Sequence, residues 1–163
     1  MATVIVILLF IGATLVYQLG MSRGNDQAAT TATTSEKADK TVGILQYVSH
    51  EALDAITNGI KEGLKESGYT EGDNLTIEFQ NGQADQSKLA TMSQQLLNKN
   101  ADVLVGVATP AAQALANVTQ DVPIVLGAVT DPVGANLVAD MDEPGGNITG
   151  VSDKAPVGAQ IKL

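Results

Sequence analysis

The stretch Ala101-Asp-Val-Leu-Val-Gly-Val-Ala-Thr-Pro-Ala-Ala112 joins an apolar strand directly to a helix. Ala101–Val107 is apolar on both faces, which is typical of a buried strand in a parallel sheet. Thr109 is the predicted N-cap of the following helix, and Pro110 its first residue. Because the first N–H groups of a helix have no partner within it, this junction is a candidate site for a carboxylate or a phosphate. The same residues also make an ordinary helix cap, so the alternative of a purely structural role stays open.

Strands and helices alternate on both sides of this junction. Val42–Tyr47 predicts a buried strand, and the alternation from Leu75 to Gln80 predicts a strand near a sheet edge. Further along the chain, Pro123–Val129 and Ile148–Val151 predict two more strands. The intervening helices are predicted to begin at Ser49, at Asp85 or Ser87, at Thr109 and near Val133, the last ending at Ala139. This order predicts an α/β fold with a parallel, Rossmann-like sheet and right-handed crossovers.

Ligands of such sheets bind beyond the carboxyl ends of the strands. The loop after the fourth predicted strand contains Asp131, which can pair with an ammonium group or can simply start an Asp-Pro turn. Tyr47, at the end of the first strand, can stack on a flat ligand or cover the sheet edge. His50 is a further candidate there, and its alternative is a solvated residue in the first turn of a helix.

Composition argues against several classes of protein. The net charge is −9, and an acidic chain is a poor partner for nucleic acid because neutralising phosphates requires Lys and Arg. There is no Cys and one His, which excludes disulfides and thiolate catalysis and argues against a zinc site. Neither a nucleotide-binding glycine motif nor a Ser, His and Asp catalytic set is apparent. We therefore expect no enzymatic activity, no cofactor and no metal.

Residues 1–21 form an apolar run without a charged residue. The run is just long enough to cross a hydrocarbon core of roughly 30 Å, so we expect an apolar helix that is a signal sequence or a membrane anchor. Because basic residues and a small-x-small cleavage site are lacking, an uncleaved anchor is favoured. Residues 22–41 are polar and rich in Ala and Thr, and they predict a flexible, disordered linker.

Six stretches carry a resemblance to a known family. They are Val42–Asp54, Gly68-Tyr69 with Gly72 and Asn74, Ala108–Gln113, Pro123–Val125, Thr130–Val133 and Pro144–Asp153. Together they resemble the substrate-binding proteins of ABC importers, of the type assigned to tryptophan and tyrosine uptake. The resemblance implies a type I periplasmic-binding-protein fold, in which two α/β lobes close on a ligand. Residues 42–147 would be the ligand-binding first lobe, and residues 148–163 the hinge strand and the incomplete start of the second.

The resemblance also implies a ligand site of eight residues. The helix start would hold the carboxylate of an amino acid, the loop after the fourth strand would face its ammonium group, and residues after the first strand would line the side-chain end. In that order, they are Thr109, Pro110 and Ala111; Thr130 or Asp131; and Gln46, Tyr47 and His50.

The function implied by the resemblance is solute binding for transport. The protein would bind an amino acid, in particular an aromatic one, and deliver it to an ABC permease. It would lie on the outer face of the bacterial cytoplasmic membrane, anchored by its N-terminal segment or secreted. Two alternatives stay open: a small exported α/β enzyme, and a non-functional fragment, since half of a clamp buries only one side of a ligand.

Overall fold

The computed structural model describes residues 39–154. The predicted membrane segment, most of the predicted linker and the predicted start of a second lobe lie outside this range. Within it the chain forms five strands and three helices. They are β1 (Lys40–Gln46), α1 (Glu51–Glu66), β2 (Leu75–Asn81), α2 (Gln86–Asn98), β3 (Val103–Val107), α3 (Thr109–Ala116), β4 (Ile124–Val129) and β5 (Ile148–Ser152).

The strands form one sheet in the order β2-β1-β3-β4-β5, and every neighbouring pair is parallel. At the end of β1, Gln46 lies opposite Asn81 of β2 and Val107 of β3. The chain first moves outward from β1 to β2 and then returns past β1 to β3, so the direction of winding reverses between β1 and β3. This topology confirms the predicted α/β fold with a parallel sheet, and it places β2 at an edge as predicted.

Two apolar clusters cover the two faces of the sheet. On one face, partly buried residues of α1 such as Ile56 and Ile60 pack against Ile44 of β1. On the other face, α2 and α3 contribute Leu96 and Leu115, both fully buried. Helices on both faces are what an all-parallel sheet requires, because both of its surfaces are apolar.

The close approach of α3 to β3 depends on Gly106. A Cβ atom at this position would lie 2.6 Å from the Cα of Ala112 and 2.9 Å from its backbone nitrogen. No side chain fits between the strand and the helix here, so glycine sets how closely the first turns of α3 lie over the sheet.

The amino end of β1 is joined to the start of β3 by Asp102. The carboxylate accepts hydrogen bonds from the Lys40 ammonium group and from the Thr41 N–H, both at 2.8 Å. The bond from Lys40, and then that from Thr41, lowers the pKa of Asp102, and the same bond to Asp102 raises the pKa of Lys40. These contacts explain why β1 begins at Lys40, two residues before the predicted start.

Two helices begin one residue away from the predicted position. His50, not Ser49, is the N-cap of α1, and its Nδ1 accepts a hydrogen bond from the Ala52 N–H at 3.3 Å. Ala108, not Thr109, is the N-cap of α3, so Thr109 is the first helical residue and Pro110 the second. The prediction of a Thr109 cap was wrong because the chain turns sharply at Ala108, with φ 74° and ψ 153°.

The helix predicted near Val133–Ala139 does not form, and the segment consists of turns. One bond of α-helical spacing runs from the Ala135 N–H to the Asp131 carbonyl at 2.9 Å, and the next two N–H groups, of Asn136 and Leu137, bond to Val133 and Pro132 instead. Asn136 then adopts a positive φ of 56°, which a helix cannot continue through. The loop still contributes buried Leu137 and Val138 to the core.

No helix between residues 39 and 154 has the length and apolarity needed to cross a membrane.

The packing at Gly106 predicts a specific loss of stability. Gly106→Ala should lower the free energy of unfolding by about 1–3 kcal/mol, because the new methyl group meets backbone atoms of α3. Gly59→Ala in α1 is the matched control: its Cβ meets nothing within 4 Å. That variant should gain about 0.5–1 kcal/mol of helix propensity. Urea denaturation measures both, and equal stabilities of the two variants would contradict the packing account.

Candidate ligand-binding site

Backbone hydrogen bonds join the loops at the carboxyl edge of the sheet. The Tyr47 N–H, just after β1, donates to the Val107 carbonyl at 3.2 Å, and the Ala108 N–H, just after β3, donates to the Gly127 carbonyl at 2.8 Å. The residues predicted after the first, third and fourth strands therefore meet at one edge, where parallel α/β sheets bind ligands.

At the β3–α3 junction, Thr109 retains the donors that a ligand would use. The Ala108 carbonyl accepts hydrogen bonds from the N–H groups of Ala111 and Ala112, each at 3.1 Å. Pro110 has no N–H, and the Ala111 side chain is fully buried. Thr109 is partly exposed and offers its N–H and its hydroxyl at the start of α3. No acidic residue occupies the first turn of α3, so the positive end of the helix dipole is not offset there.

Strained backbone is concentrated at this edge. Within the described range, six residues other than glycine have a positive φ, and four of them lie in or just after strands at the carboxyl edge. The four are Gln83, Ala84, Ala108 and Ala128. Each such residue costs on the order of 1–3 kcal/mol, and such strain is common at functional sites.

Tyr47 joins the loops after β1 and β2. Its hydroxyl donates to the Ala84 carbonyl at 3.0 Å, and the Ala84 N–H donates to the Tyr47 carbonyl at 3.0 Å. The ring is partly buried and packs against the apolar cluster beneath α2 and α3. Tyr47 thus fixes the loop after β2 against the loop after β1 at the carboxyl edge.

Gln46 lies inside the protein. Its side chain is 0% exposed, and its amide nitrogen donates to the Val48 carbonyl at 2.8 Å and to the Asp54 carboxylate at 2.6 Å. Its amide oxygen accepts a hydrogen bond from the Thr57 hydroxyl at 2.6 Å. Both side-chain amide N–H groups therefore donate within the chain, and Gln46 contacts the loop after β1 from the buried side.

Asp54 was not singled out by the sequence pattern. Its carboxylate accepts from Gln46 and also from the Ser49 hydroxyl, at 2.9 Å. The hydrogen bond from Gln46, and then that from Ser49, lowers the pKa of Asp54. The available signal was an acid in the first turn of α1, but its partners become visible only in the folded chain.

His50 is exposed at the start of α1. Since Nδ1 accepts the Ala52 N–H, the proton of the neutral ring lies on Nε2, which points away from that bond. His50 is therefore the exposed N-cap of α1, and its role in a ligand site stays a prediction.

The loop after β4 contributes Thr130 and Asp131, both exposed. One carboxylate oxygen of Asp131 accepts the Gly134 N–H at 3.0 Å, so the turn role is realised. The Thr130 carbonyl accepts from the Ser152 hydroxyl at 2.7 Å, which joins this loop to the end of β5. Asp153 follows directly and adds a second carboxylate that the site prediction did not include.

Several cavities lie outside this set of residues, and one of about 300 Å³ is lined by residues of α1 and β2 that include Lys61 and Ile77. Two others lie toward the edges of the sheet. One, of about 330 Å³, lies at the opposite, amino edge and is lined by residues that include Lys40, Tyr69 and Asp102. The other, of about 270 Å³, lies between α2 and α3 and shares Pro110 with the predicted site. The cavity between the helices is continuous with the predicted site at Pro110, whereas the cavity lined by Lys40, Tyr69 and Asp102 lies at the other end of the strands.

Comparison with known families decides the class of protein. The model of the ABC transporter substrate binding proteins matches residues 41–163. The chain belongs to this family. The sheet order and the winding reversal at β1 and β3 agree with one lobe of the type I periplasmic-binding-protein fold.

Several relatives are closely similar over part of their length. A tyrosine-binding protein of Clostridioides difficile is 35% identical over 153 residues, which are 94% of this chain and 44% of that protein. An ABC domain from Streptococcus pneumoniae, solved in complex with L-Trp, is 52% identical, with a TM-score of 0.72 over 75% of this chain and 41% of that one. A ligand-free, open substrate binding protein with adhesive properties from Clostridium difficile is 39% identical, with a TM-score of 0.73 over 76% and 42%. The chain thus spans less than half the length of these relatives.

The Asp54 network predicts a pH dependence of stability. Because the folded pKa of Asp54 is lowered, its contribution is fully present above the unfolded pKa of about 3.9 and is lost as the pH falls through the folded value. We expect Asp54→Asn to be less stable than the wild type at a pH of about 7, with a smaller difference at a pH of about 3. Urea denaturation at both pH values measures this, and a difference that does not depend on pH would contradict it.

Proposed function

We propose that this chain is the ligand-binding lobe of an extracytoplasmic solute-binding protein for an amino acid, tryptophan or tyrosine. It acts as a binding protein and not as an enzyme. It presents the amino acid to an ABC permease at the outer face of the cytoplasmic membrane, anchored or secreted through its N-terminal segment. Family membership supports the transport role. Two relatives, a tyrosine-binding protein and an ABC domain in complex with L-Trp, support the choice of an amino acid.

The observation that carries the proposal is the start of α3. It combines the Thr109 donors, the positive end of a helix dipole and a first turn without acids. A ligand with a carboxylate is favoured there over one with a cationic group. With its carboxylate at α3, the ligand would contact Tyr47 and His50, after β1, through its side-chain end.

Acidic groups after β4 and β5 suit the ammonium group of the same ligand. Asp131 uses one carboxylate oxygen in its own turn, and Asp153 follows β5 next to it in the sheet. A zwitterion would therefore meet donors at α3 and acceptors at these two loops. We assign the side-chain end of the ligand to Tyr47 and His50, while buried Gln46 supports them from within the protein.

Calorimetry of the full chain with a panel of amino acids tests the proposal. L-Tryptophan and L-tyrosine should bind, whereas tryptamine, which lacks the carboxylate, should bind at least about tenfold more weakly because it loses the charged hydrogen bonds. Equal binding of tryptamine, or binding only of a solute without a carboxylate, would contradict the proposed site.

Substitution at Thr109 separates binding from folding. Thr109→Asp should weaken tryptophan binding by at least about tenfold, because it places a negative charge where the ligand carboxylate would lie. Stability should not fall, since an acid in the first turn of a helix is favourable by about 0.3–1 kcal/mol.

The matched control for Thr109→Asp is Thr76→Asp, which makes the same charge change at an exposed position on the edge strand β2. It should leave the affinity unchanged. Unaltered affinity in Thr109→Asp would argue against this use of α3.

A further inference from the structure

We propose that Asp54 is a positioning residue for ligand binding, and that its carboxylate, acting through Gln46 and Ser49, holds the loop after β1 in its binding conformation. The inference rests on the proposed function, since the loop it positions carries Tyr47 and His50. Asp54 itself would not touch the ligand.

The geometry joins three elements in one set of hydrogen bonds. One carboxylate oxygen of Asp54 accepts from the Gln46 amide at 2.6 Å, and the other accepts from the Ser49 hydroxyl at 2.9 Å. Gln46 is the last residue of β1, Ser49 lies in the loop, and Asp54 lies in the first turn of α1. The loop is therefore held from the strand before it and from the helix after it.

Gln46 connects Asp54 to the loop, because every polar atom of its side chain has a hydrogen-bond partner. Its second amide N–H donates to the Val48 carbonyl at 2.8 Å, in the middle of the loop, and its oxygen accepts from Thr57 one turn further along α1 than Asp54. A buried amide with these partners has one orientation. Its position then fixes the Val48 backbone between the two proposed ligand residues.

The neighbouring backbone supports the same conformation. The Asp54 N–H donates to the His50 carbonyl at 2.8 Å, which begins α1 directly after the loop. On the other side, the Tyr47 carbonyl accepts the Ala84 N–H. Without the Asp54 carboxylate, Ser49 would lose its bond to α1, and Gln46, which donates to the Val48 carbonyl, would lose one of the bonds that orient it. The ligand would then have to order the loop on binding.

The test compares two variants with a control at the opposite edge of the sheet. Asp54→Ala removes both acceptors, whereas Ser49→Ala removes only the bond to the exposed loop and leaves the buried amide in place. Asp102→Ala is the matched control, because Asp102 also accepts two hydrogen bonds but at the amino edge. Calorimetry with L-tryptophan and L-tyrosine is run on each full-length variant, together with amide hydrogen exchange.

We expect Asp54→Ala to lose affinity by about tenfold and Ser49→Ala by a few-fold, since a loop that is not preorganised must be ordered by the ligand. Exchange should accelerate in both variants at the hydrogen-bonded amides of Tyr47, Ala52 and Asp54, which lie on the two sides of the loop. Asp102→Ala should lose stability but keep its affinity and the exchange rates of these three amides. If Asp54→Ala does not fold, Ser49→Ala and its exchange rates decide the question alone.

The outcomes separate this inference from the proposed function. A wild-type chain that binds tryptophan, with Asp54→Ala and Ser49→Ala binding equally well, overturns the positioning role alone. A wild-type chain that binds no amino acid overturns the proposed function. In that event the exchange rates still decide whether Asp54 holds the loop. Unchanged rates overturn the inference, and acceleration confined to the amides of Tyr47, Ala52 and Asp54 supports it.

Discussion

The structure depends on the parallel direction of all five strands. With right-handed crossovers, each strand must be followed by a loop at the same edge, and winding outward to β2 and back to β3 opens a gap between the ends of β1 and β3. The helices cover the two faces of the sheet, and parallel sheets of this kind bind their ligands at the carboxyl edge. The start of α3 and the loop after β1 both lie at this edge, and the helices that follow them pack on opposite faces of the sheet.

The path of the backbone sets the positions of the groups at the edge, and side-chain hydrogen bonds hold the loop after β1 in place. Gly106 lets α3 approach the sheet closely, which brings the first turn of the helix to the end of β3. Ala108 adopts a strained backbone conformation, with a positive φ, and the helix begins at the next residue. On the other side of the gap, Gln46 and Asp54 form a polar network beneath the loop after β1. The position of α3 is therefore set by steric fit, and that of the loop after β1 by hydrogen bonds.

Much of the fold could be predicted from the sequence, because apolar runs and helical spacing are local signals. The strands, their alternation with helices and the edge position of β2 followed from them. The start of α2 at Asp85 was predicted correctly, whereas the starts of α1 and α3 were displaced by one residue. A cap depends on backbone angles, such as those of Ala108, that composition does not reveal. The segment from Val133 failed as a helix because Asn136 leaves the helical region. The partners of Gln46 and Asp54 could not be predicted, because they depend on how α1 packs on β1.

Nuclear magnetic resonance mapping of the full chain, labelled with nitrogen-15 and titrated with L-tryptophan, tests the central claim most directly. Amide shifts report weak binding as well as tight binding, and they locate it. The account predicts amide shifts that saturate together at residues 47–50, at residues 108–112 other than Pro110, and at residues 130–131. Shifts concentrated instead around Lys40, Tyr69 and Asp102, which line the cavity at the amino edge, would contradict it.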